Sequence, residues 1–281
     1  MTPQFLSLPT NLSLAAVFAW GTSDFLGGYG ARRANAFLLT AIAHLSGMVL
    51  VTGVALATHS PFPSRTAVAW ALMGGLSGGG ALAIFYRALA SGRMGLTAPV
   101  AAVLGAAIPT AFGIFREGLP QTAQVVGFAL AAIGIWLISR TEDNSPPEGI
   151  AMAALAGIGF AGFYLCVKQA GDASAFWIAA TSKVASFTLT GLMVVIGRSA
   201  REIDRSGIVL GIVAGCLDII GSVLFIRASQ TGRLDAAVVL SSLYPAVTVL
   251  LARFILKEHF TRWKALGMVA ALLAVPMIAW R

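Results

Sequence analysis

The chain has 281 residues, of which 58% are hydrophobic and only 11% are charged. A soluble globular protein carries about 25% charged residues, so this chain has too few charges to build a water-facing surface, and most of its surface must face lipid. The net charge of +8 comes from basic residues that lie singly between apolar runs rather than in a stripe. The basic loops of a membrane protein account for this charge, and no nucleic-acid partner is expected.

Ten apolar runs follow one another along the chain. A helix that spans a bilayer needs roughly 20 mostly apolar residues, whereas a transmembrane β-strand alternates in hydrophobicity over about 10 residues. These runs are long and do not alternate, so they predict an all-α integral membrane protein with ten transmembrane helices. The predicted spans are 12–31, 36–57, 66–90, 95–115, 122–139, 149–169, 175–197, 206–228, 234–254 and 263–280.

The two halves of the sequence repeat one another. Phe85-Tyr86-Arg87-Ala88 matches Phe225-Ile226-Arg227-Ala228 at an offset of 140 residues, and Gly92-Arg93 matches Gly232-Arg233 at the same offset. Self-similarity at a fixed period indicates that one structural unit occurs twice.

The duplication predicts two units of five spans, with residues 1–140 forming the first unit, 141–148 a polar linker and 149–281 the second unit. Pro146 and Pro147 prevent a continuous helix through the linker. Because five is an odd number, the second unit enters the membrane from the opposite side, and the two repeats are inverted. This construction is typical of secondary transporters, in which two units alternate access to a central site.

Short motifs in both units carry a family resemblance. They are an early tryptophan–glycine pair, a proline in the ninth span, and a glutamate that closes the fourth and the ninth span with a glycine shortly after it. The residues are Trp20-Gly21, Tyr244-Pro245, Glu117, Gly127, Glu258 and Gly267. With these motifs and the duplication, the sequence resembles EamA-type members of the drug/metabolite transporter superfamily over nearly its whole length.

The resemblance implies a multi-pass protein of the bacterial cytoplasmic (inner) membrane that exports or exchanges small metabolites, amino acids or drugs. It implies no enzymatic activity, no cofactor and no resident metal ion, and it does not specify one substrate. A small-molecule substrate and the lipid bilayer are the expected partners. The oligomeric state stays open, with a monomer as the simplest case.

Four ionisable residues lie well inside the apolar runs, namely Asp24, His44, Lys183 and Asp218. A charge at this depth is costly and usually faces a cavity. His44 and Lys183 occupy equivalent positions of the two units. At 1.5 Å of rise per residue, Asp24 lies level with His44 and Asp218 lies level with Lys183. We therefore predict two acid–base pairs, Asp24–His44 and Asp218–Lys183.

These pairs have a functional and a structural interpretation. A carboxylate in a low-dielectric cavity can exchange a proton near neutral pH, an aspartate can bind an amine, and a lysine can bind a carboxylate. An amino acid, which carries both charges, would suit such a site. In the structural interpretation, each pair is a bridge that only neutralises itself.

Three further side chains are candidates for the wall of a cavity. Ser222 shares one small and polar helix face with Asp218, Trp20 lies one turn from Asp24, and Tyr244 follows two serines in the ninth span. The aromatic residues have an alternative role as interfacial anchors or packing residues.

Two rival functions are a membrane-embedded enzyme and a channel without carrier activity. An enzyme would need a metal cluster or a set of nucleophiles, and His44, His59 and His259 are spaced too far apart to supply one. The chain has no Walker loop, so it is not expected to use ATP itself. The orientation stays open, because the loop charges favour termini outside the cell, whereas the family resemblance implies termini in the cytoplasm.

Overall fold

The computed structural model describes residues 7–91, 94–139, 149–197, 203–257 and 261–278. Within these ranges the chain forms eleven helices joined by short turns, and the all-α prediction is confirmed. The predicted linker 141–148 and Glu258 lie outside the described residues. The helices are α1 (Leu8–Ala31), α2 (Ala36–Ala57), α3 (Arg65–Ser91), α4 (Met94–Glu117), α5 (Thr122–Ser139), α6 (Ile150–Gln169), α7 (Ala175–Ile196), α8 (Arg205–Thr231), α9 (Leu234–Ser241), α10 (Tyr244–Ile255) and α11 (Arg262–Ile278).

Seven helical segments in the described part of the chain are long and apolar enough to cross a membrane. They lie in α2, α3, α4, α6, α7 and α8 and in α9 and α10 taken together, while α5 contributes a shorter apolar helix, Thr122–Leu137. With α1 and α11, these segments account for the ten predicted spans. The protein is therefore an integral, multi-pass membrane protein.

Local sequence explains where several helices begin. Asn35 caps α2, since its side chain accepts a hydrogen bond from the backbone N–H of Phe37 at 2.9 Å. Asp204 caps α8 in the same way through the N–H of Gly207 at 2.7 Å. Such caps satisfy N–H groups that have no partner in the first helical turn. α1 begins earlier than predicted, with Pro9 in its first turn, where a missing N–H costs nothing.

The ninth span is broken in its middle. α9 ends at Ser241 and α10 begins at Tyr244. Pro245 has no N–H, so the carbonyl of Ser241 loses its helical partner. The chain tightens there, with Leu243 N–H donating to the carbonyl of Leu240 at 3.2 Å. The single predicted span is thus two half-helices, whereas α4 continues through its two prolines.

Most helix contacts occur in pairs, in which the second contact joins the helices equivalent to those of the first. α1 packs along α8 as α6 packs along α3, and α2 packs on α8 as α7 packs on α3. α4 packs on α6, and the α9–α10 segment packs on α1. α2 and α7 pack on each other, as do α5 and α11. Two similar units related by a two-fold rotation would make this set of contacts, and the inverted orientation of the units stays a prediction.

Two glycines make very close helix crossings at equivalent positions of the two units. A Cβ atom on Gly75 would lie 2.0 Å from the carbonyl oxygen of Ser182, and one on Gly215 would lie 2.0 Å from that of Ala43. Small residues allow membrane helices to approach through their backbones. These crossings hold α3 against α7 and α8 against α2, and they bring the charged residues of those helices together.

Candidate functional site

A cavity lies among the helices of both units. It is lined by residues of α1 and α3 from the first unit and of α6, α7, α8 and α10 from the second, and its empty volume is about 610 Å³ with the open solvent at its mouth included. Six of the seven residues predicted to form the site line this cavity. They are Trp20, Asp24, Lys183, Asp218, Ser222 and Tyr244.

The predicted pair of Lys183 and Asp218 is present. The Lys183 ammonium donates to Oδ2 of Asp218, and the two side chains are 9% and 10% exposed. The ammonium nitrogen also lies 3.3 Å from Nδ1 of His44. Nε2 of His44 lies 3.5 Å from the carbonyl oxygen of Gly79, so this nitrogen carries the proton and Nδ1 accepts from lysine. The network therefore contains a neutral histidine between a carbonyl and an ammonium group.

The predicted pair of Asp24 and His44 is not formed. His44 contacts Lys183 and Gly79 instead, and Asp24 makes no hydrogen bond or ion pair with any residue that the structure describes. The depth estimate was the source of this error, because it compares heights in the membrane and not the directions of the side chains. α2 packs chiefly on α7 and α8 and hardly touches α1, so His44 points away from the first helix.

Asp24 is a nearly buried carboxylate, 6% exposed, that faces the cavity. It lies close enough to Asp218 for the two carboxylates to repel each other when both are ionised. Its neighbour Ser23 is fully engaged, since the hydroxyl donates to the carbonyl of Ala214 at 2.8 Å and lies 3.1 Å from the Tyr86 hydroxyl. The contacts of Ser23 thus hold the helix next to Asp24, whose carboxylate has no partner among the described residues.

The face of α8 predicted from spacing is buried along its length. Gly215 packs on α2, Asp218 and Ser222 line the cavity, and Phe225 joins an aromatic cluster. Close packing at the glycine thus coexists on one helix face with the charged residues of the cavity.

Aromatic rings form one wall of the cavity. The ring centroids of Trp20 and Tyr164 are 6.0 Å apart, and those of Tyr164 and Phe225 are 4.8 Å apart. The indole N–H of Trp20 donates to the carbonyl oxygen of Asp218 at 3.2 Å, which fixes the ring beside the charged network. Tyr164 and Phe160 also line the cavity, although they were not among the residues predicted to form the site. Tyr164 follows Phe163, a residue matched by Phe25 in the repeat, and that match was the available signal.

Polar atoms at the break between α9 and α10 have no hydrogen-bond partner among the described residues. The side-chain hydroxyls of Ser241, Ser242 and Tyr244 are buried without a hydrogen bond from any described residue. Tyr244 is 3% exposed and lines the cavity. A broken transmembrane helix beside a cavity is the arrangement by which many transporters present polar groups to a substrate.

These features define a multi-pass helical membrane protein with a charged central cavity. A model of the EamA-like transporter family matches residues 147–280, so the second part of the chain is similar to that family. The resemblance predicted from the sequence is thereby confirmed. Glu117 ends α4, and Gly267 lies in α11.

One solved crystal structure, described only as that of a protein, has the same fold. The match has a TM-score of 0.80 and covers 98% of this chain and 99% of the other, at 18% sequence identity. No curated protein matches the sequence.

Proposed function

We propose that the protein is a secondary transporter that carries small molecules through the central cavity by alternating access. One observation supports this most directly, which is the buried Asp24 carboxylate that faces the cavity without a partner among the described residues. An unpaired ionisable group inside a membrane protein is expensive, and it usually serves a substrate or a proton. The substrates in this proposal are small metabolites, such as amino acids or small drugs, which are exported or exchanged.

The two-unit organisation supports alternating access. The cavity wall is shared between α1 and α3 of the first unit and helices of the second, so a tilt of one unit against the other would open it to one side and close it to the other. In this proposal residues 1–140 and 149–281 are inverted five-helix units, and residues 141–148 are a polar tether. Proton coupling follows if Asp24 binds a proton when it does not bind a substrate.

Flux into sealed vesicles tests the proposal. Purified protein is reconstituted into liposomes, and uptake of amino acids, sugars and cationic drugs is measured with and without an imposed pH gradient. We expect at least one compound to enter with saturable kinetics. Uptake that rises linearly with concentration would indicate a channel, and no uptake of any compound would contradict the proposal.

A matched pair of glycine variants connects the flux to the cavity. Gly78 lines the cavity, and a Cβ there would lie 3.0 Å from that of Phe163, so Gly78→Leu fills the space. Gly53 has nothing within 4 Å of its Cβ position, so Gly53→Leu adds the same side chain to open space. We expect Gly78→Leu to abolish flux and Gly53→Leu to retain it. Equal flux in both variants would place the pathway elsewhere.

A further inference from the structure

The charges that line the cavity do not balance. Among the described residues that line it, two carboxylates, Asp24 and Asp218, face one ammonium group, that of Lys183. The nearby His44 is neutral in its observed hydrogen-bonding arrangement. With Asp218 paired to Lys183, an ionised Asp24 leaves one negative charge in the cavity. Because an unbalanced charge inside a membrane is costly, this charge favours a ligand that brings one positive charge.

Most of the hydrogen-bonding capacity of Lys183 is already used. Two of the three N–H donors of an ammonium group are directed to Asp218 and to His44. A substrate carboxylate would have only the third N–H, and it would add a negative charge to the two carboxylates of Asp24 and Asp218. An amino acid or an organic anion is therefore disfavoured in this arrangement.

The remaining wall suits an apolar or aromatic body. Leu82, Phe160, Phe163 and Tyr164 face the same space as Asp24. Aromatic faces attract a desolvated cation in addition to providing apolar contact. This part of the wall thus supplies apolar contact to a compact amine with an apolar group.

The hydroxyl of Tyr244 is a further polar group that is available to such a ligand. The hydroxyl of Tyr244 is buried, lines the cavity and has no hydrogen-bond partner among the residues described. As a hydroxyl it can accept a hydrogen bond from an ammonium group. Asp24 and Tyr244 together give a cationic head two acceptors on different helices, α1 and α10.

From these observations we infer that the substrate is an organic monocation with an apolar or aromatic body, held by Asp24. This inference rests on the proposed transport function, and it narrows the substrates to one charge class. In it, the network of Asp218, Lys183 and His44 neutralises itself, while Asp24 supplies the charge that selects the ligand.

Four probes with one phenyl group and one chain length separate the charge classes. They are 2-phenylethylammonium (a cation), 2-phenylethanol (neutral), phenylalanine (a zwitterion) and 3-phenylpropionate (an anion). Binding of each to the full-length protein in lipid nanodiscs is measured by titration calorimetry. We expect the cation to bind about tenfold more tightly than each of the other three, since a hydrogen bond to a charged group is stronger than a neutral one.

The variants assign this preference to Asp24. Asp24→Asn should lower the affinity for the cation to that for 2-phenylethanol, and Asp24→Glu should keep the preference for the cation. Asp172→Asn removes an exposed carboxylate outside the cavity and should change neither affinity. Gel filtration and thermal melting establish that each variant is folded. If Asp24→Asn fails to fold, the order of the four probes on the unmodified protein and on Asp24→Glu still decides.

Two results would overturn the inference. One is tighter binding of phenylalanine or 3-phenylpropionate than of the cation, and the other is a cation affinity that Asp24→Asn leaves unchanged. Flux of the same probes keeps the two proposals apart. Saturable flux of the zwitterion or the anion would retain the transporter and refute the cation, whereas absence of flux for every compound would refute the transporter.

Discussion

At the scale of single residues, Lys183 controls the charge balance of the cavity. Its ammonium group meets the carboxylate of Asp218 and the imidazole of His44 in an almost fully buried position. Removing one partner of a buried ion pair leaves an uncompensated charge, which typically costs about 3–5 kcal/mol. Thermal unfolding of Lys183 variants therefore reports the role of this lysine in stability, independently of any role in substrate binding.

A double-mutant cycle measures that role. We expect Lys183→Met to lower the midpoint of thermal unfolding strongly, because Asp218 then stays buried and unpaired. Adding Asp218→Asn should recover most of the loss, since it removes the charge as well. Lys257→Met, the same substitution at an exposed position, serves as the control. Unfolding is monitored by circular dichroism. Equal midpoints for Lys183→Met and Lys257→Met would show that the pair is not a stabilising contact.

At the same scale, one of the two acid–base pairs could be predicted from the sequence and the other could not. Equivalence in the repeat and similar depth correctly predicted the Lys183–Asp218 pair. The same reasoning failed for Asp24 and His44, because the direction of a side chain depends on which helices are neighbours. That information comes from packing, since α2 lies against α7 and brings the equivalent residues His44 and Lys183 into contact.

At the scale of helices, the glycine crossings set how closely the two units approach. The carbonyl oxygen of Ala43 lies where a side chain on Gly215 would begin, and a backbone atom cannot rotate away as a side-chain tip can. A larger residue there must move α8 away from α2. Asp218 lies one turn beyond Gly215 on α8, so this movement would also disturb its contact with Lys183.

Two alanine substitutions test the crossing. Gly215→Ala should destabilise the protein by about 1–3 kcal/mol or more, as expected for overpacking in a rigid contact. Gly53→Ala meets nothing within 4 Å and should be neutral or stabilising by up to about 1 kcal/mol, because alanine favours the helix. Both are measured as shifts in thermal unfolding. A Gly215→Ala variant as stable as Gly53→Ala would contradict the close crossing.

The helices themselves were largely accessible from the sequence. Apolar runs of membrane length predicted ten spans, and the structure places helices in all of them. The break between α9 and α10 was less accessible. Proline occurs in α4 as well as at position 245, yet α4 continues and the ninth span does not. Proline removes one hydrogen bond in either case, and the packing around it decides whether the helix opens.

At the scale of the whole molecule, the paired contacts of the two units are the basis of the proposed mechanism. The main contacts between the units have counterparts when the units are exchanged, yet the residues that line the cavity differ between the units. The offset of 140 residues makes Gly78 equivalent to Asp218. Alignment of Trp20-Gly21 with Ile158-Gly159 makes Gly162 equivalent to Asp24. In the proposed mechanism the two similar units move against each other. The two aspartates, neither of which has an acidic equivalent in the other unit, bind the substrate or a proton.

Counterflow tests the central claim, that this movement carries a substrate, most directly. Proteoliposomes are preloaded with an excess of the unlabelled probe that binds most tightly, and a trace of the labelled probe is added outside. A carrier that alternates access predicts transient accumulation of label above its equilibrium level, because outward movement of the unlabelled probe returns empty sites to the outer face. A label that only approaches equilibrium, with no overshoot, would contradict the account.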